Sequence, residues 1–171
     1  MMRIAVRCLV AAATASALGL VWTAPANADA IAATTTCTNP FTSAQAGPSS
    51  FDLEVPATAV VGQDVQVTVS FDFANNSGYD ISDLNTITQA IATTGTSQNP
   101  VTVTAGSQGA VPNGTSVTVT ETGTWTPDQE GTATFTLGQF SFTTVVMGFT
   151  VPITCTFDST PPSVSTEVSS S

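Results

Sequence analysis

The sequence contains no histidine and only two cationic side chains, Arg3 and Arg7, both close to its first residue. Each absence removes a class of function. Without His or Lys, a Ser or Cys nucleophile has no conventional base partner. Zinc sites of the usual kind need His and several thiolates, and neither set is available. An isopeptide cross-link has no Lys amine to form from. Long apolar runs are missing too. The longest, over residues 8–21, falls short of the ~20 residues a membrane-spanning helix needs.

What is there begins with an address. Arg3 and Arg7, the Ala-rich apolar run and the small-residue stretch Ala26-Asn27-Ala28 form the three parts of a secretory signal peptide. We read residues 1–28 as that signal, with cleavage after Ala28 and Ala30 as the second choice. Cys8 leaves with it. The mature chain then has its α-amino group as its only formal cation, against Asp and Glu side chains that total 12 in the whole sequence. Nucleic-acid binding requires cationic groups that displace phosphate counterions, and none remain. Anionic membrane surfaces repel such a chain. Arg forks for phosphate or carboxylate ligands are absent. The expected location is secreted or extracellular, with association to the cell envelope.

Residues 29–158 read as one all-β domain. Val65, Val67, Val69, Phe71 and Phe73 alternate with Gln66, Thr68, Ser70 and Asp72, the period of a strand with one buried face. Val101/Val103, Val117/Val119, Ala133/Phe135/Leu137, Phe140/Phe142 and Val151/Ile153/Cys155/Phe157 repeat the pattern. Gly-, Pro- and Asn-containing turns separate these runs, as in Pro112-Asn113-Gly114. Short strands at this spacing predict an antiparallel β-sandwich of about 7–9 strands. Residues 80–94 are ambiguous. They read as a strand over 85–92, or as a short helix over 81–84 leading into it. Residues 159–171, with Pro161-Pro162 and then Ser, Thr, Val and Glu, read as a flexible Ser/Pro-rich tail. Two cysteines survive signal cleavage, and an even count in an exported chain implies a Cys37–Cys155 disulfide. Cys155 falls on the apolar side of its strand, inside the core.

Residues 55–69, Val55-Pro56 through Gly62-Gln63-Asp64-Val65-Gln66-Val67-Thr68-Val69, resemble the opening of many bacterial immunoglobulin-like domains. Thr36-Cys37-Thr38, Val151-Pro152-Ile153-Thr154-Cys155-Thr156 and the later Pro161-Pro162 make the mature chain similar to small actinobacterial secreted immunoglobulin-like β-sandwich proteins of unassigned function. The resemblance implies an immunoglobulin-like fold and an exported address. It carries over no catalytic or ligand residues.

Candidate sites are few. Asp72, Asn75, Asn76, Asp80, Asp83 and Asn85 make an oxygen-rich region suited to calcium, with Asp72, Asp80, Asp83 and Asn85 as the ligand candidates. Their spacing lacks the D-x-D-x-D-G pattern of a standard calcium loop, and turn-forming Asn and Asp is the competing reading. No other cofactor is expected. Trp125, the only Trp after cleavage, is either a sugar-stacking platform or a core residue, and its place on the Val117/Val119 side favours the core. Glu121 falls on that same side. Either a bulge near Gly123 resets the register or Glu121 marks the rim of an edge strand, and we favour the bulge. The carboxylate pairs Asp52/Glu54 and Asp128/Glu130 are the only chemistry left for a glycan hydrolase. Asn75 and Asn113 sit in N-x-Ser/Thr sequons but read as turns. The expectation is a non-enzymatic binding or structural protein whose partner is a protein or a cell-wall polymer. The alternatives are a carboxylate-dependent glycan hydrolase and a homo-oligomer assembling through strand edges.

Overall fold

A computed structural model describes residues 25–26, 30–41 and 43–170. Of the expected signal peptide, residues 1–28, only Pro25–Ala26 lies among them, and the remainder is outside the described residues. Fourteen strands and no helix form within the described part. They are β1 (Pro25–Ala26), β2 (Ile31–Ala32), β3 (Thr35–Thr38), β4 (Gln45–Ala46), β5 (Ser50–Pro56), β6 (Thr58–Val60) and β7 (Val65–Ala74). Then follow β8 (Ile81–Gly95), β9 (Val101–Ala105), β10 (Gly109–Val111), β11 (Ser116–Trp125), β12 (Gly131–Val146), β13 (Phe149–Phe157) and β14 (Ser163–Ser169).

The strands join in one curled sheet in the order β1-β5-β7-β11-β9-β8-β12-β13-β3-β4. Pairing is antiparallel except for β14 against β6. The long strands β8 and β12 belong to both halves of the curl, and their pairing shifts register at several points. This bending brings the apolar faces of the two halves together in a sandwich-like arrangement. Phe51 and Phe71 from one half meet Phe140 from the other at ring separations of 5.8 and 5.4 Å. Trp125 meets Phe135 edge-on at 4.8 Å. The core is built from the period-2 apolar positions, as the burial of Val65, Val67, Val69 and Phe71 on β7 shows.

Ala133/Phe135/Leu137 and Phe140/Phe142 lie on a single strand. A register shift between Leu137 and Phe140 lets both sets face the core, and the Gln89 amide donates to the Gly138 carbonyl there at 2.9 Å. The side chain thereby satisfies a backbone group that the disrupted ladder leaves over.

Three expectations are corrected. Within the segment 80–94, strand runs unbroken from Ile81 onward, with no helix at 81–84. Ile81 and Leu84 are both buried, and the paired β10 accommodates this by a register shift of its own. Residues 159–171 do not form a flexible tail over their length. Val164, Thr166 and Val168 are buried in alternation with exposed Ser163, Ser165, Glu167 and Ser169, and this segment pairs with β12 and β6. Glu121 sits in neither a bulge nor an edge. Strand β11 pairs with β7 without interruption from Ser116↔Ala74 to Trp125↔Val65, and β9 covers its other side. Gly123 serves close approach instead: a Cβ placed on it would lie 2.5 Å from the Thr102 carbonyl oxygen of β9. Gly123→Ala is expected to cost about 1–3 kcal/mol by overpacking, read as a lower urea midpoint at unchanged slope. An unchanged midpoint would show that β9 yields freely.

Cys37 and Cys155 are joined by a disulfide between residues directly opposite each other on β3 and β13. Cys155 is fully buried, and Cys37 packs against the core.

Candidate functional site

The alternation that fills the core also leaves a pocket. Strand β7 ends at Ala74 and β8 starts at Ile81, so the loop between them caps one end of the curl. Beneath it, Phe73 and Phe142 meet edge-on at 5.3 Å. Their rings, with Ile81, Val146, Val151 and Ile153, line a cavity of about 240 Å³. Around it stand Asn39, Gln45, Asn75, Asn76 and Ser77, all neutral, together with Phe41 and Tyr79. Among the described residues no charged side chain lines it.

Asn75 holds the loop in place and is nearly sealed from solvent. Its amide nitrogen donates to the Tyr79 and Val111 carbonyls at 2.9 and 2.8 Å. Its oxygen accepts from the Ser77 backbone N–H and hydroxyl. Every capacity of this amide is used internally, which is the turn role read from the sequence. Asn113 accepts from the Gly78 N–H at 3.0 Å and ties the neighbouring turn to the same loop.

The described residues have four exposed large hydrophobic side chains: Phe41, Tyr79, Met147 and Phe149. Phe41 and Tyr79 line the pocket. Met147 lies in the β12–β13 turn, directly beyond the lining residue Val146, and Phe149 opens β13 opposite Val146, two positions before the lining residue Val151. Met147 adopts a left-handed backbone at φ 50°, unusual for a side chain that carries a Cβ. Exposed apolar groups scattered singly are ordinary, but a group of them around an apolar cavity marks a binding surface.

The calcium candidates do not converge. Asp72 accepts from the Thr118 hydroxyl on the outer face of β7 and β11. Asp80 accepts from the Asn113 N–H, and Asp83 from the Ser107 hydroxyl and the Asn85 amide. Among the described residues no three His, Cys, Asp or Glu side chains gather as a metal set. The carboxylate pairs are likewise apart. Asp52 and Glu54 lie on β5, opposite Ser70 and Thr68, while Asp128 accepts from the Ser97 hydroxyl in the β11–β12 turn. Trp125 is buried in the core, where sugar cannot stack on it.

Glu121 is the residue that sequence reasoning misplaced most. It is fully buried, faces Val69 across the ladder, and has no protein hydrogen-bond partner on either carboxylate oxygen. Burial pushes its carboxyl from 4.5 up to about 8. The regular alternation of β11 was the signal that pointed inward.

Solved structures at low identity resemble this chain, two of them as follows. A protein from Corynebacterium diphtheriae named as membrane anchored superposes with a TM-score of 0.46 and 16% identity, over 84% of this chain. The match spans 38% of that protein, well under half of its length. A cohesin module from a Clostridium perfringens ATCC13124 family 33 glycoside hydrolase superposes with a TM-score of 0.37 and 11% identity, over 71% of this chain and 96% of the module. No protein-family model matches the chain. No curated protein matches it.

Proposed function

We propose that this chain is a non-enzymatic, exported binding module of immunoglobulin-like sandwich type that holds a protein or cell-wall polymer at the end pocket. One observation carries the reading: two exposed large hydrophobic side chains, Phe41 and Tyr79, line the apolar cavity, and two more, Met147 and Phe149, sit beside its lining residue Val146. A disulfide supports an oxidising, extracellular setting. Chemistry has little to work with. A carboxyl held near 8 would suit a general acid, but Glu121 is sealed from solvent and from any substrate.

The test uses Val151→Trp, which places a large ring at a half-buried position on the pocket wall, opposite the lining residue Thr144. The neutral solvatochromic dye prodan is expected to shift blue and brighten with the wild type. The variant should bind it at least about tenfold more weakly, since the ring occupies the same apolar space. Co-sedimentation with isolated bacterial envelopes should fall in parallel. A variant that binds dye and envelopes as the wild type does would move the site elsewhere.

A further inference from the structure

We infer that the partner at this pocket is an extended, basic segment of another protein, which pairs with β4 and inserts one apolar side chain into the cavity. The inference rests on the pocket being the binding site, as proposed above, and adds what occupies it.

The first ground is the position of β4. It ends the sheet beyond β3, and among the described residues no strand pairs with its other side. Both its residues, Gln45 and Ala46, line the pocket. A free strand edge and a side-chain cavity therefore share a wall. That combination is the one by which proteins recognise extended peptides: the backbone adds to the edge, and a pocket takes an alternate side chain.

The second ground is register. The Gly47 N–H donates to the Thr35 carbonyl at 2.9 Å, which makes these two a hydrogen-bonded pair. Pairs along an antiparallel ladder alternate. Gln45, opposite Cys37, therefore turns its backbone groups inward, and Ala46 turns its N–H and C=O to the open edge. One donor and one acceptor stand beside the cavity mouth, ready for a neighbouring chain.

The third ground is charge. The described residues that line the pocket are all neutral, so the inserted side chain is uncharged. Around it, the described residues carry many carboxylates and no Lys, Arg or His. A segment with cationic side chains beside its apolar anchor is steered in, and an acidic one is repelled. A neutral lipid chain would use the cavity without needing Ala46.

The experiment selects peptides from a random displayed library on the disulfide-intact protein, then measures one selected peptide in solution. Selected sequences should carry an aromatic or aliphatic anchor with Lys or Arg nearby. Replacing those cations with Glu, or raising salt from 50 to 500 mM, should weaken binding about tenfold or more. Ala46→Pro removes the outward N–H at an edge position that tolerates proline, and should weaken the peptide about tenfold more than it weakens prodan. Peptide should also slow hydrogen exchange at the Ala46 amide about tenfold, a readout that needs no variant. Prodan binding without any selected peptide overturns this inference and leaves the pocket reading standing. So do acidic selected sequences, equal affinity for Ala46→Pro, or unprotected Ala46. Binding of neutral glycolipid micelles that displaces prodan equally from the wild type and Ala46→Pro assigns the pocket to lipid instead. Failure of prodan itself to bind removes the pocket reading.

Discussion

Glu121→Gln is expected to stabilise this protein by about 5 kcal/mol at pH 9, and by much less at pH 4.5. The sign follows from proton counts. The folded state holds the Glu121 proton up to about pH 8, while an ordinary carboxyl releases it near 4.5. Between those values the folded state binds more protons than the unfolded state, so wild-type stability declines as pH rises. It is fully present below about 4.5 and reaches its lower plateau above about 8. Each pH unit in that window is worth ~1.4 kcal/mol, and the window is a little over three units wide. Glutamine has the shape of the protonated carboxyl and no charge to bury, so the variant's profile should be flat by comparison. Urea titrations at pH 5, 7 and 9 read the difference directly. Parallel profiles for the two proteins would show that the carboxylate reaches water or a counter-charge in the folded state. No such counter-charge exists among the described residues, which contain no Lys, Arg or His.

Loss of the Cys37–Cys155 bridge is the second large effect. The two residues are 118 positions apart. In the chain-entropy account, opening a loop of that size costs about 4–5 kcal/mol through the freedom restored to the unfolded chain. For a domain of this size that is roughly 10–20 °C in Tm. The double variant Cys37→Ala/Cys155→Ala should melt lower by this amount and keep its strand circular dichroism. It should also become insensitive to reductant, which lowers the wild type to the same value. A reduced wild type that melts at its oxidised temperature would mean the adjacent strands β3 and β13 hold the loop closed by themselves.

The strands were legible in the sequence where apolar residues alternate over several positions, as from Val65 to Phe73. They were illegible where alternation is carried by few or by polar residues. Strand β14 shows why. Its core face is Val164, Thr166 and Val168, one of them a hydroxyl residue, set among serines whose composition resembles a tail. Only its partners β12 and β6 make it a strand. Glu121 failed for the opposite reason. Its position in the alternation was clear, and the expected cost of burying a carboxylate argued it away. Protonation removes most of that cost, which a reading based on charged side chains does not include.

The candidate site was less legible than the fold. Phe41, Gln45, Phe73, Tyr79, Phe142 and Ile153 come from five separate stretches, and only the curl of the sheet gathers them. Asn75 and Asp80 drew notice as members of an oxygen-rich region, Asp80 as a candidate calcium ligand. Their oxygens instead accept hydrogen bonds from Ser77 and from the Asn113 N–H, so the same residues that suggested a cation build the loop over an apolar cavity.

The bridge between β3 and β13 has a mechanical consequence. If tension is applied to the two ends of the chain, the load entering at Cys37 leaves at Cys155 through a covalent bond. The 118 positions between them are bypassed. Stretched out, they would lengthen the molecule by about 400 Å at ~3.4 Å per residue. With the bond intact that slack stays locked away, and the pocket at the end of the curl lies within the shielded stretch apart from its rim at Cys37. A tethered partner could therefore pull on the ends of this protein without extending most of the surface that holds it.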